Sequence, residues 1–308
     1  MKIAFTTELP REGFRRLGGH TLYAPFEEAD ILVSTFDAKV SSELIAAMPN
    51  LKLIANFGAG YNNIDLEACK ARGIRVTNTP QPVIEPTAEL AFALMIDIAR
   101  RVSEFDRKVR AGQAVFGVMN NLSHSLYGKT LGILGMGRIG QALARRAKAS
   151  GMQIIYHNRH KIKDDALKAL NGGNDEMVKY VDFQTLLQDS DYLSLNLPYT
   201  PEVHHIIGKP ELGMMKRSAY LINTARGAHV DEAALIEALK SGIIAGAALD
   251  VYEHEPAVSS ELLTLPNVVL SPHTGTGTWE GRIAMCENVT DNILAFVEKD
   301  FAKMNIVL

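Results

Sequence analysis

The sequence predicts an α/β protein of two lobes, each built on a parallel β-sheet. Three observations carry this. The chain has 308 residues, enough for two domains at roughly 150 residues each. Short apolar runs rich in β-branched residues alternate with helix-like stretches along nearly its whole length, the pattern of parallel strands joined by crossover helices. The alternation comes as two series, separated by a polar, weakly patterned stretch from Gly112 to Gly128. Composition is ordinary for a globular protein, with 47% hydrophobic and 22% charged residues. A net charge of −3 gives no basic footprint for nucleic acid. No apolar run approaches the roughly 20 residues of a membrane helix, and no signal peptide is expected at the N-terminus. A cytoplasmic location, without membrane or nucleic-acid partners, is therefore expected. Cys69 and Cys286 have no redox or metal-ligand spacing, and both are expected to be plain thiols.

In chain order, strands are expected at Lys2–Thr7, Ile31–Thr35, Leu51–Phe57 and Ile74–Asn78, with helices at Ser41–Met48 and Asn63–Arg72, each entered through polar cap residues. Pro80, Pro82 and Pro86 interrupt the pattern. A long helix is then predicted over Thr87–Arg110, where Leu90, Leu94, Ile98 and Val102 make a stripe and Gly112 is the stop. The second series opens at Thr130. Its strands are expected at 130–134, 153–157, 191–197, 219–223, 245–251 and 267–271, with helices at Ile139–Ser150, Asp231–Lys240 and, last, Thr278–Glu298.

Residues 131–140 read LGILGMGRIG, so Gly135, Gly137 and Gly140 form G-x-G-x-x-G between an apolar strand and a helix. In that context the first glycine permits a tight turn and the second a close approach of backbone to a pyrophosphate. The third lets helix and strand pack, with the helix N-terminus facing the anion. A dinucleotide site is expected. An NAD site would place an acid at the end of the next strand to hold the ribose hydroxyls. Here that strand runs into Asn158-Arg159-His160-Lys161, and no Asp or Glu occurs between Arg138 and Lys163. A guanidinium can grip a 2′-phosphate that a carboxylate would repel. NADP(H) is therefore expected over NAD(H), which stays possible. The competing reading is a solvated basic turn.

Four charged residues follow consecutive predicted strands, where ligands of open α/β sheets lie. These are Arg226 in NTARG, Asp250 in LDVYEHEP, Glu255 in the same segment and His273 in SPHTG. Arg226 has the planar fork that suits a carboxylate, and an imidazole is the usual general acid near neutral pH. Taken alone, an apolar strand ending in Pro-His is more often a capped strand than a site. His204 and His205 read as ordinary surface residues, and no metal site is expected.

The segment LINTARGAHVDEAALIEALKSGIIAGAALDVYEHEP (221–256) closely resembles the D-isomer-specific 2-hydroxyacid dehydrogenases, taken with the glycine motif, SPHTG, NFGAGYNNID (56–65) and TPQPVIEPTAEL (79–90). The resemblance covers nearly the whole chain and lies nearest the glyoxylate/hydroxypyruvate reductase branch. It implies hydride transfer between NAD(P)H and a small 2-keto acid to give a D-2-hydroxy acid. In it, Arg226 would bind the substrate, His273 would be the acid/base, and Glu255 would pair with His273 and favour the protonated imidazole. Asp250 would contact the nicotinamide carboxamide. Thr87, Arg138, Ile139, Pro198, Thr224 and Ala225 would touch the cofactor, alongside Gly135, Gly137, Gly140, Asn158 and Arg159. Backbone at Gly58, Ala59 and Gly60 would receive the substrate carboxylate.

The same resemblance implies a Rossmann cofactor domain (99–273) inserted into a flavodoxin-like substrate domain (1–98 plus 274–308). It also implies closure of the lobes over the substrate and a homodimer built on an arm near 99–128. Tyr61-Asn62 departs from the family's frequent Tyr-Asp, and the missing acid after the second strand departs from its NAD-binding members. D-lactate- and phosphoglycerate-type dehydrogenases of the family, and corepressor-like scaffolds that sense dinucleotides, are the alternatives. Trp279 and Phe116 are expected to line the pocket or to lie in the core.

Overall fold

A computed structural model of the chain describes residues 1–172 and 177–308, which divide into two units: Met1–Pro86 with Thr276–Leu308, and Thr87–Gly275. The first carries strands β1 (Lys2–Phe5), β2 (Thr21–Leu22), β3 (Ile31–Thr35), β4 (Leu53–Phe57) and β5 (Arg75–Thr77), all parallel, in the order β2-β1-β3-β4-β5. This is the flavodoxin-like winding. β3 and β4 are buried at every residue, as expected for strands covered on both faces. Two of their polar members, Ser34 and Asn56, satisfy each other at 3.1 Å. Ser41 and Asp65 cap the two short helices by accepting from Leu44 N–H and Ala68 N–H. The last helix, Trp279–Val297, belongs to this unit, starts from a Thr278 cap and buries Met285, Cys286, Val289 and Ile293.

The second unit holds β6 (Thr130–Leu134), β7 (Gln153–His157), β8 (Val178–Tyr180), β9 (Tyr192–Leu195), β10 (Tyr220–Asn223), β11 (Gly246–Leu249) and β12 (Val268–Leu270). They form one parallel sheet in the order β12-β11-β10-β9-β6-β7-β8. The order reverses between β6 and β9, the switch point beyond whose carboxyl ends nucleotides bind in such sheets. Leu193, Leu195, Leu221, Ala247 and Leu249 form the centre of its core with Leu186, Leu187, Leu235 and Leu239 from the flanking helices. β2 and β8, two and three residues long, are too short to show a period and escape the sequence reading.

Two expectations need correction. The long helix 87–110 is two helices, Ile84–Arg100 and Val102–Arg110. Arg101 breaks it with φ 57°, and Asp97 Oδ1 accepts the Ser103 N–H at 2.8 Å, replacing a helical partner. The first of these helices starts before Pro86, which sits in its first turn where no N–H is needed. Phe116 and Trp279 are 89% and 77% exposed, so neither lies in the core. The compact units divide between Pro86 and Thr87, so the helix from Thr87 onward groups with the second. Within that unit Glu89 meets Arg146 at 3.4 Å and Ala99 C=O accepts from His124 N–H.

After the break, Arg101 and Lys108 both reach Glu104 at 2.6 Å. The Arg101 hydrogen bond is the main cause that holds the Glu104 carboxyl at about 2, against an ordinary 4.5. A depressed carboxyl stabilises the fold fully above its unfolded value and loses that contribution as pH falls through the folded one. Glu104→Gln should therefore lower Tm by about 2–4 °C at pH 7, an exposed-pair effect of roughly 1 kcal/mol. The gap should shrink between pH 4.5 and 2. Thermal melts of both proteins across that range check this.

Candidate active site

Within the second unit, the glycine loop joins β6 to the helix Arg138–Ala149. Gly135 has φ 101°, and a Cβ there would come within 2.7 Å of the Asn196 backbone, which follows β9. A Cβ on Gly140 would meet Gly135 O at 2.4 Å, whereas a Cβ on Gly137 would meet nothing within 4 Å. The loop is thus pressed onto the sheet at its ends and open at its middle glycine. Gly137 caps the helix without a side-chain bond, so the first N–H groups point outward, as a phosphate requires. These residues fit a dinucleotide. Asn158 does something the sequence did not reveal: its Oδ1 accepts the Met136 N–H at 2.6 Å and ties the end of β7 to the glycine loop. Arg159, His160 and Lys161 are exposed, as are Arg138 and Pro198. Glu202, on the loop after β9, is held below the usual carboxylate range chiefly by Thr200, with a further pull from Arg159. A carboxylate thus lies near Arg159 after all, supplied from a different strand.

At the carboxyl ends of β10, β11 and β12 the four charged residues are organised around one another. Asp250 is 1% exposed and anchors the His273 turn. Its C=O accepts from His273 N–H, its Oδ1 from Thr274 N–H and its Oδ2 from Gly275 N–H, all at 2.8 Å. His273 itself has φ 53°, a left-handed conformation that a non-glycine residue adopts only when its surroundings impose it. In that pose its Nδ1 lies 2.7 Å from Glu255 Oε2. The other Glu255 oxygen accepts Tyr252 N–H at 2.9 Å. Burial pushes the Glu255 carboxyl up, but the His273 imidazole, the Tyr252 N–H and the Arg226 guanidinium together hold it below the ordinary glutamate value.

Burial works against the charge of Arg226, and Glu255 sustains it. Among the described residues its side chain makes one hydrogen bond, Nη1 to Ala225 O at 2.6 Å. Asn223 shapes this loop by donating to Arg226 O and accepting from Ala225 N–H. A desolvated guanidinium with most of its five donors unspent calls for an anion. Thr224 Oγ1 and Asn196 Oδ1 are also buried without partners among the described residues. Thr87, on the first turns of its helix, is buried beside Gly275. His229 is fully buried two residues past Gly227, and burial lowers its pKa to about 4, so the ring stays neutral.

In the first unit, the Gly58–Gly60 segment follows β4. Asn56 Nδ2 donates to Gly58 O and Gly60 O, and Asn78 Nδ2 donates to Ala59 O. All three carbonyls are thereby turned to protein amides. The N–H groups of Ala59 and Gly60 have no partner among the described residues. Asn56 and Asn78 are the supports that sequence reasoning missed; a buried amide at a strand end was the available signal.

A parallel sheet wound about this switch point, with a glycine cradle and an Arg–Glu–His cluster at its carboxyl edge, defines a nucleotide-dependent oxidoreductase of the α/β class. The family model for the D-isomer specific 2-hydroxyacid dehydrogenase, NAD binding domain, matches residues 92–275. A glyoxylate reductase of Thermococcus litoralis is 50% identical over 276 residues, covering 88% of this chain and 81% of that protein. Several solved structures superpose over almost the full length. The NADPH-dependent glyoxylate/hydroxypyruvate reductase of Sinorhizobium meliloti, in complex with NADP and malonate, has a TM-score of 0.83 and 32% identity, over 96% of this chain and 93% of that one. The D-lactate dehydrogenase of Aquifex aeolicus, complexed with NAD and lactic acid, has a TM-score of 0.86 and 29% identity, over 100% and 99%. The chain belongs to the D-isomer-specific 2-hydroxyacid dehydrogenase family and is an NAD(P)-dependent oxidoreductase of its glyoxylate reductase-like branch.

Proposed function

We propose that the protein reduces glyoxylate, hydroxypyruvate or a similarly small 2-keto acid to the D-2-hydroxy acid, with NADPH preferred over NADH. The observation that carries the reading is the His273–Glu255 pair at 2.7 Å beside a guanidinium whose donors are largely unspent. A bound nicotinamide supplies the hydride. Arg226 grips the carboxylate and carbonyl oxygen of the substrate with its fork and stabilises the negative charge that grows on that oxygen. The N–H groups of Ala59 and Gly60, with Gly58 before them, bind the carboxylate. Because Nδ1 of His273 is committed to Glu255, the proton delivered to the carbonyl oxygen leaves from Nε2. Glu255 keeps the ring oriented for that transfer. Asp250 holds the turn that aims His273 and, with Thr87, Pro198, Thr224 and Ala225, lines the nicotinamide end. Gly135, Gly137, Arg138, Ile139 and Gly140 receive the pyrophosphate, and Asn158 and Arg159 the adenosine end.

In this reading the second unit is the cofactor domain and the first the substrate domain. A homodimer is supported by the run of exposed apolar residues Val115, Phe116, Val118, Met119, Leu122 and Tyr127 in the segment assigned to the arm, a concentration that usually marks an interface. A cytoplasmic location agrees with two free, buried cysteines.

The test is a panel of glyoxylate, hydroxypyruvate, pyruvate and bulkier 2-keto acids, each with NADPH and NADH. The two smallest acids with NADPH should give the highest kcat/KM. Arg159→Ala should raise the KM for NADPH by roughly ten- to a hundredfold, the value of charge-assisted hydrogen bonds to a phosphate, and leave that for NADH nearly unchanged. A wild-type preference for NADH would remove the cofactor assignment. Dinucleotide binding without turnover of any acid would favour the scaffold alternative.

A further inference from the structure

The loop after β9 carries a cluster that the reductase chemistry leaves unused. His204, His205 and Glu253 each place a ligand atom within 4.8 Å of those of the other two. From sequence the two histidines read as ordinary surface residues and no metal was expected, because Glu253 lies 48 residues further on and only the fold brings it back. We propose that this cluster is a binding site for a divalent transition cation of the zinc, nickel or copper class, separate from the Arg226–Glu255–His273 site.

The donors suit such an ion. Two imidazoles and one carboxylate form a set that zinc and its neighbours accept, with remaining positions left to water, and imidazole discriminates against magnesium and calcium. The rings of His204 and His205 stack with centroids 3.9 Å apart and planes at 20°, and one nitrogen of each lies within 4.8 Å of the other and of a Glu253 oxygen. His205 Nε2 lies 2.5 Å from Glu253 Oε1, a hydrogen bond whose shared proton a bound cation would replace. His204 Nδ1 meets Tyr199 OH at 3.3 Å, leaving Nε2 as its ligand atom with the other nitrogen oriented by a hydrogen bond, the usual support of a metal-bound imidazole. The carboxylate is held in turn: Glu253 Oε2 accepts the Glu232 N–H at 3.1 Å.

Three segments meet at the cluster. His205 N–H donates to Ala228 O, two residues past Arg226. A Cβ on Gly227 would come within 1.9 Å of the Tyr252 backbone, so that turn is pressed against the loop carrying Glu253 and Glu255. A cation bound here ties the loop after β9 to the two loops that carry the substrate-binding arginine and the partner of the catalytic histidine. Its expected effect is stiffening and a higher Tm rather than any step of the reaction.

The experiment is calorimetric titration of the untagged, EDTA-treated full chain with zinc chloride, with Tm read in parallel. One equivalent of zinc per chain with an affinity in the micromolar range or tighter, accompanied by a rise in Tm, is the expected result. Tyr199→Phe should weaken binding about tenfold, and His204→Ala or Glu253→Gln on the order of a hundredfold, since even the supports of a ligand are worth 10–100-fold. His204 is exposed, so His204→Ala should keep the fold and the metal-free reductase activity. The proposal is overturned by no stoichiometric binding below about 100 μM, or by unchanged binding in His204→Ala and Glu253→Gln. Either result would leave the reductase reading untouched.

Discussion

Replacing His273 by alanine should lower kcat for keto-acid reduction by roughly 10²–10⁴-fold, the usual worth of a positioned general acid. The affinity for NADPH, read by quenching of protein fluorescence, should change little. The split matters because the imidazole is held entirely from the protein side: its main-chain N–H by Asp250, its Nδ1 by Glu255. Removing the ring takes away the proton donor and leaves the glycine cradle, on other loops, intact. Glu255→Gln tests the same assembly more gently. It keeps the shape but removes the carboxylate that faces Nδ1 and orients the ring, so kcat should fall by a smaller factor than in His273→Ala while the KM for NADPH stays near wild type. Activity of His273→Ala within about tenfold of wild type would remove the assignment.

The second large effect is expected at Arg226. Arg226→Lys should reduce kcat/KM for glyoxylate by roughly 10²–10³-fold, the cost of losing a donor to a developing oxyanion, with NADPH binding retained. A lysine keeps the positive charge but not the fork, so survival of wild-type kcat/KM would show that a point charge suffices and that the bidentate role is wrong. The variant also replaces a desolvated guanidinium, whose charge Glu255 sustains, by an ammonium that gives up its proton more readily when buried. The deficit should therefore grow as pH rises.

Much of this was legible in the residues. The alternation of short β-branched runs with capped helices foretold both parallel sheets, and ILVST and LIANF are fully buried strands because a strand covered on both faces has no polar side to show. The glycine spacing and the strand-terminal placement of Arg226, Asp250, Glu255 and His273 were visible because sheet ligands gather at carboxyl ends. The break at Arg101 was not, since an apolar stripe runs through both helices and the interruption depends on Asp97 capturing one N–H. The core alternative for Phe116 and Trp279 failed for a related reason: aromatic character predicts burial but does not say which surface provides it.

The sequence by itself determined the fold class, the family and the kinds of group available for hydride chemistry, because periodicity, glycine spacing and residue type are local properties. Only the tertiary structure decided which groups meet. Glu255 on His273, Asn158 on the glycine loop, Glu202 near Arg159 and Glu253 on His205 all join residues that are 18 to 48 positions apart or come from different strands. Such pairings depend on strand order in the sheet, and strand order is set by packing of the whole core rather than by any stretch of chain.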